Sequence, residues 1–179
     1  GGAGDGATAL VAPSEGYGKD VEEETNRIFR EVYNGTLRVD DLVMRLQACK
    51  VAAAADPKQG DLLSCVVHSL FAEYEHFKNY PDKYLRTTAI LWGSLIQHEL
   101  VTSLVKGMYL RVVLESLRRP LGDRQASFGM LALEQFKWRI HELPTYGAQV
   151  LAIPHLHTAR PELMAYIKAA RERRAADSA

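Results

Sequence analysis

Little in this sequence invites chemistry. There are two cysteines, Cys49 and Cys65, in 179 residues. That is too few for a disulfide framework. Both fall inside apolar helical patterns, so they are expected to be buried small hydrophobes in a reducing compartment. There is no excess of charge either, because 22 basic and 22 acidic side chains cancel. A neutral chain sets up no global field for nucleic acid or an anionic membrane, and either partner would need a local patch. No apolar run approaches the ~20 residues that cross a bilayer. Gly1 to Pro13 has neither the basic nor the apolar region of a signal peptide. The expected address is the cytoplasm or the nucleus.

Catalytic and metal-binding patterns are missing as well. His98-Glu99 and His141-Glu142 each present half of a zinc-protease helix, without the second histidine four residues on. His155 and His157 stand two apart in what reads as a loop, the wrong spacing for one helix face. Gly122, Gly129 and Gly147 are isolated turn or packing glycines rather than a phosphate loop. Ser94 follows Gly93 but lacks the second glycine and the strand-turn-helix setting of a nucleophile elbow. The carboxylates are scattered over exposed helix faces. The chain therefore reads as a non-enzyme with no catalytic residue, metal ligand or cofactor.

What is present is helix. Residues 1–16, rich in glycine, are expected to be a flexible N-terminal segment. Residues 17–174 read as the ordered domain, and 175–179 as a frayed C-terminus. No segment shows the period-two alternation of a strand. The first helix is expected to start near Asp20, with its carboxylate as the cap, and to stop at Asn34-Gly35. The second covers about Val39 to Ala54, with Leu42, Val43, Leu46 and Cys49 inward. Asp56-Pro57 opens a third that runs to about Phe77, striped by Leu63, Val66, Val67, Leu70, Tyr74 and Phe77. Further helices follow at about Tyr84 to His98, Thr102 to Arg119 and Asp123 to His141. A short one comes after Pro144, and the last begins at Pro161 and fades by Arg174. About eight helices in antiparallel pairs of about 40 residues give an all-α, HEAT-like short solenoid, with a compact bundle as the competing arrangement. Arg118, Arg119 and Arg124 cluster at the Pro120 turn, with Lys137 and Arg139 placed to join them. Helix-end cations that complement the backbone dipole explain this cluster better than a nucleic-acid site does.

The first helix carries one unusual signal. On a 100° wheel, Val21, Thr25, Ile28 and Val32 form one core stripe. Phe29 and Tyr33 fall outside it, on the side of Asn26. A terminal helix has one neighbour fewer, so these rings are expected to be at least partly solvent-accessible, a surface suited to an amphipathic peptide helix. Coverage by a loop or by the third helix is the competing reading.

Several stretches carry a family resemblance. They are Glu15-Gly-Tyr-Gly-Lys-Asp-Val-Glu-Glu-Glu24, Leu70-Phe-Ala-Glu-Tyr74, Tyr80-Pro-Asp-Lys83, Leu100-Val-Thr102, Leu110-Arg-Val-Val-Leu-Glu115 with Leu117-Arg118 and Pro120, and Phe128-Gly129 with Phe136-Lys137. About Glu15 to Tyr166 resembles the large scaffold subunit of the eukaryotic Ccr–Not deadenylase complex. The similar part is its HEAT-repeat domain, which is like the middle domain of initiation factor four G and binds the C-terminal peptide of tristetraprolin in animals. The resemblance implies a non-enzymatic scaffold that docks short helical motifs of RNA-binding adaptors to direct mRNA deadenylation, decay and translational repression. It implies contacts with other subunits of the complex through flanking regions. It also implies a monomeric isolated domain, little or no direct nucleic-acid binding, and processing bodies as a further address. The matching groove residues are Asn26, Phe29, Tyr33, Glu73 and Tyr80. The chain departs from the animal pattern in a shorter turn after Asn34, in Glu75 and His76 where a basic and an aromatic residue stand, and in Lys58-Gln-Gly-Asp61. Its cognate peptide need not be the animal one.

Overall fold

The computed structural model describes residues 16–179, so the expectation for residues 1–15 lies outside the described part. Local punctuation sets most of the elements. Asp56 caps α3 (Pro57–Ala72) by accepting from the Lys58 amide, and Pro57 occupies the first turn, where a missing N–H costs nothing. Asp123 caps α6 (Arg124–Phe136) through the Gln125 amide. Gly35 ends α1 (Lys19–Asn34) in the left-handed conformation, φ 85°, with its N–H on the Val32 carbonyl. The remaining helices are α2 (Val39–Ala52), α4 (Asp82–Gln97), α5 (Ser103–Leu117), α7 (Pro144–Leu151), α8 (Pro154–Ala159) and α9 (Pro161–Asp177). No strand occurs among the described residues, and no helix there is long and apolar enough to cross a membrane.

Contacts run along two rows of helices. α2, α4 and α6 pack in succession, as do α1 with α3 and α5 with α7 and α9. The Tyr109 hydroxyl donates to the Val67 carbonyl at 2.6 Å and joins α3 to α5. The rows are closed against each other by α2 on α3 and α5 on α6. This is the helix-pair solenoid that the sequence predicts. Two glycines permit the tightest approaches. A Cβ on Gly93 of α4 would collide with the Ala132 carbonyl and lie 2.8 Å from the Gln135 Cβ of α6. One on Gly129 would sit 2.9 Å from the Ser116 Cβ of α5. Trp92, Tyr109 and Phe128 fill the centre, and the Trp92 Nε1–H donates to the Tyr109 carbonyl.

Four expectations need correction. Asp20 does not cap α1. Gly18 holds the cap position without a side-chain hydrogen bond, and Asp20 pairs with Lys58 at 2.7 Å instead. The third and sixth helices end early, at Ala72 and Phe136, and each continues as a 3-10 segment, Glu73–Asn79 and Lys137–Glu142. His155 and His157 are not in a loop but on α8, a ninth helix, where their Nε2 atoms lie 2.8 and 2.7 Å from the Leu117 and Leu151 carbonyls. Finally, α9 continues past Arg174 to Asp177.

Candidate functional site

The buried positions of α1 are Val21, Thr25, Ile28, Phe29, Val32 and Tyr33. On the wheel they span an arc of about 140°, wide enough for two neighbours rather than one. Those neighbours exist, because α1 touches α2, α3 and α4. The expected exposure of the aromatic pair is therefore overturned, with Phe29 at 1% and Tyr33 at 3%. Phe29 stacks on Tyr33 with ring centroids 6.4 Å apart. Tyr33 meets Tyr80 edge-on at 6.1 Å and Tyr84 at 5.5 Å. Its hydroxyl lies 2.6 Å from the Thr88 Oγ1, which itself donates to the Tyr84 carbonyl. With the threonine proton committed there, the tyrosine is the donor. Burial pushes the Tyr33 phenol up to about 12.

Glu73 and Tyr80 bracket the first 3-10 segment and close on each other. The Tyr80 hydroxyl donates to the Glu73 Oε1 at 2.7 Å, and both residues are 8% exposed. Burial raises the Glu73 carboxyl above its ordinary value, and it raises the Tyr80 phenol as well. Arg124 pins the end of the segment, donating to the Lys78 and Tyr80 carbonyls and to Asp82. Asn26 sits at the rim of the buried arc, one turn before Phe29; the residue is half-buried, but its Oδ1 is itself buried and has no hydrogen-bond partner. The five expected residues are thus neighbours, but four of them form a closed cluster. Tyr84 and Thr88, which complete that cluster, follow the i, i+4 spacing of α4 yet carry no sign in sequence that they face α1. A cavity of about 460 Å³ opens beside the 3-10 segment, lined by Phe77, Lys78, Leu85, Arg119 and Arg124.

Apart from Arg118, which has no ion pair among the described residues, the basic cluster is internally neutralised. Arg119 pairs with Asp123 at 2.9 Å, Arg124 with Asp82 at 2.7 Å, Lys137 with Glu134 at 3.0 Å, and Arg139 with Glu99 and Glu142. Cys49 and Cys65 are buried free thiols, as expected. Among the described residues, no group of three or more His, Cys, Asp or Glu side chains converges.

These features define a class: an all-helical repeat module whose distinctive cluster is aromatic and hydrogen-bonded. The chain belongs to the family described as CCR4-NOT transcription complex subunit 1 TTP binding domain, whose profile matches residues 6–179. It is 37% identical over 147 residues to General negative regulator of transcription subunit 1 of Schizosaccharomyces pombe, covering 82% of this chain and 7% of that protein. It is 31% identical over 130 residues to CCR4-NOT transcription complex subunit let-711 of Caenorhabditis elegans, covering 72% of this chain and 5% of that one. Among solved structures, the N-terminal domain of the yeast Not1 superposes with a TM-score of 0.78 at 25% identity, over 95% of this chain and 32% of that chain. The chain thus spans only 5–7% of the length of these two curated relatives.

Proposed function

We propose that this chain is a non-enzymatic interaction domain of a Ccr–Not scaffold subunit, docking a short helical motif of a tristetraprolin-like RNA-binding adaptor at the junction of α1, the 3-10 segment and α4. Asn26 fixes the peptide backbone once its buried amide oxygen turns outward, and Phe29, Tyr33, Glu73 and Tyr80 form the closed floor beside it. The observation that carries this reading is convergence. Phe29, Tyr33, Glu73 and Tyr80, from distant parts of the chain, gather around one junction, and the nearby Asn26 on α1 holds a buried acceptor without a partner. Family membership supports it. Other subunits of the complex engage the flanking regions of the longer protein. The address is the cytoplasm, including processing bodies, with a nuclear pool.

The test is fluorescence anisotropy with a labelled C-terminal peptide of an animal tristetraprolin and with peptides from adaptors captured by this domain. A micromolar dissociation constant is expected, roughly −8 kcal/mol, the scale for a small interface. Asn26→Ala should weaken binding by about 2 kcal/mol while leaving the melting temperature near that of the parent. No binding by the parent, or unchanged binding by Asn26→Ala, would overturn the reading. A second reading, an architectural repeat joining neighbouring segments of the scaffold, is favoured by the closure of the Phe29–Tyr33 face. It expects no peptide to bind.

A further inference from the structure

Far along the chain from α1, the second 3-10 segment carries the chain's most conspicuous exposed aromatic. Trp138 is 55% exposed, whereas Trp92, the other tryptophan, is at 0%. The Trp138 ring meets Tyr166 of α9 edge-on at 5.4 Å, and the Lys137 Nζ lies 4.9 Å from its centroid. A cavity of about 480 Å³ opens beside the ring, with Ala170 at its side and Arg173 and Arg174 at its edge. Arg174 is aimed by a 2.7 Å hydrogen bond to the His141 carbonyl. Arg173 is exposed, and its side chain makes no hydrogen bond or ion pair among the described residues. Tryptophan, tyrosine and arginine around one hollow are the residue types in which binding energy concentrates at protein interfaces.

We infer that this face docks a short acidic segment of a partner protein, one apolar side chain entering between Trp138 and α9 while flanking carboxylates meet Arg173 and Arg174. Charge complementarity selects this occupant. A second copy of the chain, related by a two-fold axis, would set arginines against arginines. Single-stranded RNA fits worse. Stacking of successive bases needs a series of open rings, and here one ring stands open with a lysine over it. Glu134, Glu142 and Asp177 also border the patch, so an incoming anion must keep to the Arg173 and Arg174 side. A peptide can place its carboxylates selectively, whereas a nucleic-acid backbone cannot.

Trp92 is inaccessible, so acrylamide quenching of tryptophan fluorescence reports on Trp138. Three probes suffice: a synthetic acidic peptide with leucine and phenylalanine among aspartate and glutamate, the same peptide with asparagine and glutamine for its acids, and a short oligouridylate. The acidic peptide should protect Trp138 with half-saturation on the order of 10–100 µM, in keeping with a small interface. Arg173→Glu, or removal of the peptide's acids, should weaken that protection by about fivefold. Asn26→Ala should leave it unchanged, which separates this site from the one proposed above. Equal protection by the amide peptide or by oligouridylate would overturn the inference. So would protection by none of the probes, quenching already absent in the unmixed protein, or protection that rises with protein concentration alone.

Discussion

Truncating Phe29 to alanine probes the closed aromatic face directly. The ring is almost wholly buried and stacks on Tyr33, which in turn contacts Tyr80 and Tyr84. Removing a buried phenylalanine costs about 3–5 kcal/mol, from lost transfer energy and from the cavity left behind. Domains of this kind hold only about 5–15 kcal/mol in all. At about 2–4 °C per kcal/mol for this chain length, Phe29→Ala should melt about 6–20 °C below the parent. The assay is a thermal melt by far-ultraviolet circular dichroism, with Met44→Ala as a control. Met44 is exposed on α2, so its truncation should stay within about 0.5 kcal/mol. Phe29→Leu should lose less than about 1.5 kcal/mol if the neighbours close around it. A Phe29→Ala melt within about 2 °C of the parent would mean that the ring is not packed, and the account of α1 as a helix with two covered flanks would fail.

Three further outcomes are expected. Gly93→Ala forces α4 and α6 apart at the Ala132 carbonyl and should cost about 2–4 kcal/mol, whereas Gly107→Ala, with open space around the new Cβ inside α5, should gain about 0.5–1 kcal/mol; melts of the two variants check both signs. Burial raises the Glu73 pKa, so the folded protein keeps a proton that the unfolded chain has released; this contributes stability at low pH that is lost as pH rises through the raised folded value. Glu73→Gln should therefore gain on the parent as pH climbs from the ordinary carboxylate range towards neutrality, and parallel melting curves across pH would refute that. Because Arg119, Arg124, Lys137 and Arg139 are already paired, single-stranded RNA should bind more weakly than about 10 µM near physiological salt. Tight, sequence-selective binding in an anisotropy titration would restore the RNA reading.

Helix ends were legible where one residue decides them. Asn34-Gly35, Asp56-Pro57, Asp123, Pro144 and Pro161 all mark real boundaries, because a left-handed cap, a side-chain cap or a missing N–H acts locally. The stripe Leu42, Val43, Leu46 and Cys49 is buried as its period requires. The 3-10 segments were not legible, since the apolar pattern over seven or six residues cannot separate i→i+3 from i→i+4 bonding. Nor was α8, whose six residues are too few to show a period. Asp20 has the chemistry of a cap, but Lys58, thirty-eight positions away, claims its carboxylate.

Phe29, Tyr33, Glu73 and Tyr80 gather as a closed cluster and not as the expected surface, and the difference bears on how a peptide would use them. Which residues share a face of α1 follows from the wheel, but what covers that face depends on Thr88, fifty-five positions distant. A closed face adds a step to docking. Exposing Phe29 and Tyr33 to receive a partner costs about 1.5–3 kcal/mol per ring in lost burial, together about 3–6 kcal/mol. A conformer that costly is populated about once in 10²–10⁴ molecules, and observed affinity falls by the same factor. A micromolar adaptor that opened the cluster would need intrinsic contacts worth roughly 11–14 kcal/mol, in the range of much larger interfaces. A peptide that stays at the rim avoids this cost and needs only the buried Asn26 amide oxygen to turn outward as its hydrogen-bond partner. The two routes separate on one comparison. Rim docking makes Asn26→Ala lose affinity while Tyr33→Phe, which keeps the ring, binds like the parent. Docking by opening makes Tyr33→Phe bind more tightly, because breaking the Thr88 hydrogen bond lowers the cost of opening by about 1 kcal/mol.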